Sequence, residues 1–175
     1  MPGGCQGDRE VTLALTGRTG SAGAVDRADD GLERRRDDVR VDPDLGDVHV
    51  SRIVAAYGAG RILNHKTARS QLVGGIMYGL GMALWEHTAI DTRSGRYLNA
   101  DLAEYLVPVN ADAPAIDVIF VDEKDEHVNP IGVKGIGEIG TTGVAAAVAN
   151  AVYHATGVRV RDLPITLDKL MGHAA

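Results

Sequence analysis

Residues 129–157 of the 175-residue chain read NPIGVKGIGEIGTTGVAAAVANAVYHATG, a glycine-dense loop that runs directly into a long apolar stretch. The spacing of apolar residues after the loop predicts an amphipathic helix. Thr141 or Thr142 can cap its first turn, and Gly157 stands where a left-handed glycine ends a helix. The predicted buried stripe consists of Val144, Val148, Ala151, Val152 and Ala155. We therefore expect this helix to pack on a core by one face.

The loop before this helix gains conformational freedom from its glycines, and it can present backbone N–H groups to a ligand beside the positive helix end. These glycines are Gly132, Gly135, Gly137, Gly140 and Gly143. GxGxxG matches residues 135–140, but no predicted strand leads directly into it, and no acidic residue follows at the distance that a dinucleotide-binding unit requires. The pattern therefore argues against a dinucleotide site.

Glu138 is a lone carboxylate among these glycines. It could stabilise the helix dipole, which is worth a few tenths to about 1 kcal/mol. It could instead act as a general base, because its neighbours are too small to shield it from a ligand. The dipole would favour the ionised form, whereas burial against an apolar substrate would raise the pKa. The residues alone leave both interpretations open.

A second helix is predicted from Asn64, its N-cap, to Glu86. Its predicted buried face consists of Ala68, Leu72, Ile76, Leu80 and Leu84. The helix also contains Gly74, Gly75, Gly79 and Gly81. Each glycine costs about 1 kcal/mol relative to alanine, so all four indicate a close approach, either of neighbouring backbone or of a bound cofactor.

Strands are predicted within VHVSRIVAAYGAGRILN, residues 48–64, broken at Gly58 or Gly60, and within IDVIFVDE, residues 116–123. Residues 1–46 are first glycine-rich and then densely charged, which predicts a disordered or loosely helical leader that contributes nothing to the core, with a specific docking arm as the alternative. We expect residues 47–175 to form an α+β fold, with two long helices packed on a small mixed sheet.

Composition excludes several functional classes. Aromatic residues make up 4% of the chain and the formal charge is -6, which argues against nucleic acid and favours a small molecule or another protein as partner. The one cysteine, Cys5, allows no intrachain disulfide, as is usual in the cytoplasm. No stretch reaches the roughly 18 apolar residues of a membrane span, and the histidines lack the spacing of metal ligands, so we expect neither membrane nor directly bound metal.

Five motifs occur in the same order as in the molybdenum-binding subunits of the xanthine dehydrogenase and aldehyde oxidase family. They are SQLVGGIMYGLGMALWE, RYLNADLAEYLVPVNADAP, NPIGVKGIGEIG, AAAVANAVYHATG and RVRDLPIT, and they span residues 70–166. The chain from about Val48 to Met171 thus resembles the C-terminal part of such a molybdopterin-binding subunit.

This resemblance implies roles for particular residues. Glu138 takes the position of the family's catalytic base, while Gln71, Ile136, Gly135 and Gly137 take positions that contact the cofactor. The implied cofactor is molybdenum-molybdopterin, with the pterin plain or in its cytosine dinucleotide form. The implied reaction is hydroxylation of an aldehyde or an N-heterocycle with oxygen from water, with electrons leaving through Fe-S clusters and FAD on partner subunits. We expect the Glu138 loop and the Gln71 helix to meet at one surface.

The resemblance also implies a fragment, because these subunits are several times longer and their upstream half has no counterpart here. Such a fragment would be inactive alone and would work only with the remaining part of the molybdenum subunit and with the iron–sulfur and flavin subunits. Two alternatives stay open. A non-catalytic subunit-interaction module would not need Glu138, and a nonfunctional gene remnant would give little soluble protein.

Overall fold

The computed structural model describes residues 14–18, 38–42, 44–125 and 127–171. The strands in chain order are β1 Ala14–Arg18, β2 Asp38–Val41, β3 Val48–Gly58 and β4 Ala115–Phe120. The helices are α1 His65–Leu84, α2 Val144–Thr156 and α3 Leu167–Met171, with a short 3-10 turn at Asn110–Asp112. No helix among these described residues has the length and apolar character needed to cross a membrane.

The sheet is built around β3. This strand pairs in parallel with β1 and with β4, and antiparallel with β2, so the sheet is mixed as predicted. The register places Ile53 opposite Ile116 and Tyr57 opposite Phe120. α1 and α2 pack on each other and on the sheet, and the core lies between these layers.

α1 begins and faces inward as predicted. The Asn64 side chain accepts hydrogen bonds from the backbone N–H groups of Lys66 and Thr67 at 3.0 and 3.2 Å, which satisfies two donors that the first turn leaves free. Leu72, Ile76 and Leu80 are fully buried. The helical spacing of these apolar residues therefore sets which side of α1 meets the core.

α2 starts differently from the prediction. Its N-cap is Gly143, with φ of 88°, and no side chain caps the first turn, so neither Thr141 nor Thr142 has the predicted role. Residues 138–144 instead form two successive turns, in which Thr141 N–H bonds Glu138 O and Val144 N–H bonds Thr141 O. The residue that joins these turns to the helix is left-handed, a conformation that glycine adopts without strain. The predicted stripe is buried and Gly157 ends the helix, both as expected.

Two parts of the predicted architecture need correction. α1 has 20 residues and α2 has 13, so the fold is α+β with one long helix and one of ordinary length, plus the short α3. Ala14–Arg18 and Asp38–Val41 belong to the sheet, and Val39 and Val41 are buried in the core, although residues 1–46 were predicted to contribute nothing to it. Alternating valines suffice for a strand even within a charged run. Most of the predicted leader lies outside the described residues.

Candidate functional site

The loop that carries Glu138 lies directly on α1 because two glycines meet there. A methyl group added at Gly75 would lie 2.8 Å from the Gly140 Cα, and one added at Gly140 would lie 2.6 Å from the Leu72 carbonyl oxygen. Neither position has room for a side chain. Backbone therefore packs against backbone, and this contact fixes where the loop crosses the helix.

Other glycines of α1 also serve packing. A methyl group at Gly79 would meet the Val144 side chain at 2.7 Å, and one at Gly81 would lie 2.9 Å from the Pro108 ring. Gly74 differs, because a methyl group there would meet nothing within 4 Å. Close packing thus explains three of the four helix glycines, against backbone at Gly75 and against side chains at Gly79 and Gly81, while Gly74 leaves open space on the exposed side of α1.

The same crossing brings the predicted site residues together. A methyl group on Gly137 would lie 4.0 Å from Oε1 of Gln71, and its neighbour Glu138 is exposed, as is Gln71. Gly135 is exposed with nothing within 4 Å of an added methyl group, and Ile136 is half-buried against the core. The predicted meeting of the Glu138 loop and the Gln71 helix at one surface is therefore observed.

Upstream of Glu138 the loop is held by a buried ammonium group. The Lys134 side chain is only 6% exposed, and its Nζ lies 2.8 Å from Glu123 Oε1 and 3.0 Å from Asp125 Oδ2. Both carboxylates follow the end of β4. The Lys134 interactions therefore fasten the loop to the sheet, so that Glu138 lies between two fixed points, Lys134 and Gly140.

Backbone and amide contacts add to this anchor. Gly60 and Val133 form an isolated β-bridge just after β3, and Arg61 N–H donates to Gly132 O at 2.8 Å. The Asn129 side chain donates to Val133 O at 2.7 Å and accepts from Val133 N–H at 3.2 Å. The turn before Lys134 is therefore fixed by its own hydrogen bonds.

The charges of the anchor stabilise one another. Burial alone would lower the pKa of Lys134, but the hydrogen bonds that it donates to Glu123 and Asp125 outweigh that effect, so its pKa lies above the usual 10.5. The pKa of Asp125 lies below its usual 3.8, first because it accepts a hydrogen bond from Lys134 and then because it accepts one from His127 N–H. Both groups therefore stay ionised around neutral pH.

Glu138 does not belong to the first turn of α2. Helix-dipole effects fall off within the first turn, and α2 begins at Val144, beyond the intervening residues 139–143. This separation weakens the interpretation of Glu138 as a residue that merely stabilises a helix dipole. The glutamate instead belongs to an exposed loop that is held rigidly on either side.

Sequence reasoning missed two contributors to this region, Lys134 and Tyr57. The signal for Lys134 was available, because it is a lone cation within an apolar and glycine-rich run. The Tyr57 hydroxyl donates to Gly140 O at 3.5 Å beneath the loop, and burial raises its pKa to about 12. Nothing in its local sequence marks Tyr57, because only the tertiary fold places it under the loop.

A cavity of about 1060 Å³ lies on the upstream side of this anchor. Its walls include Arg61, His65, Phe120 and Asp125. His65 and Phe120 meet edge to face there, with ring centroids 5.2 Å apart. Gln71 and Glu138 are not among the residues that line this cavity.

Comparisons with known proteins identify the family. A family model described as a molybdopterin cofactor-binding domain matches residues 37–114, which include Gln71. The aldehyde oxidoreductase molybdenum-binding subunit PaoC of Escherichia coli strain K12 is 54% identical over 134 residues, which are 77% of this chain and 18% of PaoC. This chain belongs to the molybdenum-binding subunit family of xanthine dehydrogenases and aldehyde oxidoreductases.

Further members of this family agree in sequence and in fold. The putative xanthine dehydrogenase molybdenum-binding subunit XdhA of E. coli strain K12 is 40% identical over 133 residues, which are 76% of this chain and 18% of XdhA. The aldehyde oxidoreductase of Desulfovibrio desulfuricans superposes with a TM-score of 0.70 at 28% identity, over 78% of this chain and 15% of that one. The chain thus spans less than a fifth of the length of these relatives.

Proposed function

We propose that this chain is the part of a molybdenum hydroxylase catalytic subunit that supplies the catalytic base, Glu138, together with some of the contacts to molybdopterin. The observation that carries the proposal is the packing of Gly140 on Gly75, which places Gln71 beside the Glu138 loop. Gln71, to which the resemblance gives a cofactor contact, and Glu138, to which it gives the role of base, are distant in sequence but lie at one exposed surface.

The open space around Gln71 fits a bulky cofactor. Methyl groups at Gly74 and Gly135 would meet nothing within 4 Å, and one at Gly137 would meet only the Gln71 amide. The bare backbone at these glycines lets a ring system approach closely. In this arrangement the Gln71 amide would donate and accept hydrogen bonds to molybdopterin, and the loop around Ile136 would border it. When bound, the group supplies the molybdenum centre that takes two electrons from the substrate.

Glu138 supplies the proton-transfer part of the reaction. Oxidation of an aldehyde by water gives a carboxylic acid, two protons and two electrons, and a carboxylate positioned at the water-derived oxygen accepts one of those protons. A base of this kind must be held in place, since small displacements cost catalysis steeply. The anchors at Lys134 and Gly140 hold the loop, while the exposed Glu138 side chain stays accessible to substrate.

The proposal requires further protein. The chain spans 18% of the length of PaoC, so remaining cofactor contacts and substrate-pocket walls come from the rest of the molybdenum subunit. The two electrons leave through Fe-S clusters and FAD on partner subunits, as the resemblance implies. The substrate is an aldehyde or an N-heterocycle, the site of action is the cytoplasm, and the isolated chain is inactive.

Molybdenum and pterin content tests this assignment. The chain is purified alone and after coexpression with a form of PaoC that lacks the matched segment, and metal and pterin are measured per complex. We expect both only in the coexpressed sample, and we expect Gln71→Ala to lower them severalfold. Asp44→Asn, which replaces an exposed carboxylate in the turn before β3 with an amide of similar size, serves as the control. Equal cofactor content in Gln71→Ala and wild type would contradict the assigned contact.

The alternative functions give different results in the same samples. A non-catalytic subunit-interaction module would form the complex and leave cofactor content independent of Gln71. A nonfunctional remnant would give neither soluble chain nor complex. These outcomes separate the three interpretations without any assumption about the substrate.

A further inference from the structure

The segment between α1 and β4 shows an inverted pattern of polar and apolar groups. Between residues 97 and 109 the large apolar side chains point outward, and each of those that we group as the apolar face is at least 46% exposed. The apolar face consists of Tyr97, Leu98, Leu102, Leu106, Val107 and Val109. Large contiguous apolar surfaces on a folded chain mark interaction sites.

The backbone under this face is nevertheless fixed. Leu98 N–H donates to Ala89 O at 2.8 Å, and Ile90 and Tyr97 form a β-bridge. The Asn99 side chain accepts from Ala89 N–H at 2.9 Å and donates to the His87 carbonyl. The start of the segment is therefore a hairpin held by hydrogen bonds within the chain.

The middle of the segment is tied to α1. Asp101 Oδ1 accepts from Ala103 and Glu104 N–H at 2.9 and 3.1 Å, which fixes the turn that displays Leu102. Tyr105 donates its hydroxyl to Glu86 Oε2 at 3.1 Å, at the end of α1. A surface that is already ordered before contact loses little conformational entropy when a partner binds.

A depression borders the apolar face at Tyr97 and Leu102. Its volume is about 450 Å³, and its walls include Tyr97, Leu102 and Tyr105. Thr88, Asn99 and Asp101 also line the depression. Apolar walls with a few polar groups suit an apolar or aromatic side chain inserted from a protein partner.

We propose that the apolar face is the docking surface for the rest of the molybdenum-binding subunit, meaning the four-fifths of a PaoC-like protein that this chain does not match. The family model covers residues 37–114 and so includes the whole face. In PaoC the matched segment is continuous with a chain of which it makes up 18%. A lobe of a larger subunit exposes the apolar surface that packs against the remainder, as obligate interfaces resemble a divided core. The identity of the occupant rests on the proposed function, whereas the exposed surface does not.

Binding to PaoC that lacks the matched segment tests the surface directly. Leu102 is 87% exposed, so Leu102→Ser should leave the melting temperature of the isolated chain unchanged, while raising the Kd for this partner at least about 10-fold. Leu45→Ser is the matched control, since Leu45 is 64% exposed in the turn before β3. An unchanged Kd in both Leu102→Ser and Leu98→Ser would overturn the proposal.

A chimera provides a second readout that does not need the partner to fold separately. The matched segment of full-length PaoC is replaced by the corresponding residues of this chain, and Leu102→Ser is introduced. Docking predicts a lower melting temperature in the chimera but not in the isolated chain, because only in the chimera is the side chain covered. Equal melting temperatures in the variant and parent chimeras would contradict docking. Concentration-dependent dimers of the isolated chain that Leu102→Ser abolishes would instead assign the face to a second copy.

Measurements on the same proteins distinguish a failure of the docking surface from a failure of the proposed function. Glu138→Gln is expected to bind the remainder of PaoC with the wild-type Kd, because Glu138 lies outside the apolar face. If Leu102→Ser weakens binding while Glu138→Gln retains full activity, the docking surface stands and the assigned base is wrong. If Glu138→Gln abolishes activity while Leu102→Ser and Leu98→Ser bind normally, the base stands and the docking surface is wrong.

Discussion

Gly74 and Gly75 are neighbours in α1 whose surroundings differ completely. A methyl group at Gly75 would meet the Gly140 Cα at 2.8 Å, whereas one at Gly74 would meet nothing within 4 Å. We expect Gly75→Ala to lower the free energy of unfolding by about 1–3 kcal/mol through overpacking. Gly74→Ala should raise it by up to about 1 kcal/mol, as for an exposed helix position. Urea unfolding measures both, and equal changes in the two variants would contradict the backbone contact.

Because Lys134 forms ion pairs with Glu123 and Asp125, we expect the free energy of unfolding to depend on pH. The pKa of Asp125 is lower in the folded chain than its usual 3.8, so ionised Asp125 stabilises the fold above pH 3.8. This stabilisation is lost as the pH falls through the pKa that Asp125 has in the folded chain. The pKa of Lys134 is higher in the folded chain than its usual 10.5, so protonated Lys134 stabilises the fold below pH 10.5. This stabilisation is lost as the pH rises through the pKa that Lys134 has in the folded chain. Lys134→Met should therefore destabilise the chain at neutral pH, and should destabilise it less at a pH well below 3.8, where Asp125 becomes protonated.

The matched control for this effect is Lys134→Arg, which keeps the charge. Urea midpoints measured from pH 2.5 to 7 should separate the two variants, because only Lys134→Met leaves Glu123 and Asp125 without the cation. A Lys134→Met deficit that stays constant over this range would show that lost packing, and not the ion pairs, accounts for the destabilisation.

At the scale of elements, the start of α2 depends on Gly143. Its φ of 88° is strained for residues with a side chain, so Gly143→Ala should lower the free energy of unfolding by about 1 kcal/mol. Thr142→Ala should change it by less than about 0.5 kcal/mol, because Thr142 is exposed and does not cap the helix. Thermal or urea unfolding of the two variants measures both changes. A loss of about 1 kcal/mol in Thr142→Ala would restore the threonine cap that the sequence suggested.

Elements were predictable where the sequence carries a local period. The buried faces of α1 and α2 follow from helical spacing, and Asn64 and Gly157 mark boundaries through local hydrogen bonding and glycine freedom. β2 was missed because Val39 and Val41 lie in a charged run, whose composition outweighed a two-residue alternation. The cap of α2 was wrong because the preceding turns, which no local pattern specifies, decide which residue enters the helix.

At the scale of the whole molecule, the candidate site could be predicted only through family resemblance. Composition and spacing left Glu138 open between two roles and did not single out Gln71. Gln71 and Glu138 lie near each other because Gly75 packs on Gly140, and these two glycines are far apart in sequence. The Lys134 anchor was missed although a lone cation in an apolar, glycine-rich run marks it. The apolar face was not predictable, since an irregular segment has no period that tells which side chains point outward.

The central claim is that Glu138 is the base of a site shared with the rest of a molybdenum subunit. It is tested most directly by the rate of aldehyde oxidation per bound molybdenum in the PaoC chimera, compared between wild type and Glu138→Gln. The account predicts normal molybdenum content in the variant and a rate at least about 100-fold lower, as expected for loss of a general base. A molybdenum-normalised rate within a factor of two of wild type would contradict it.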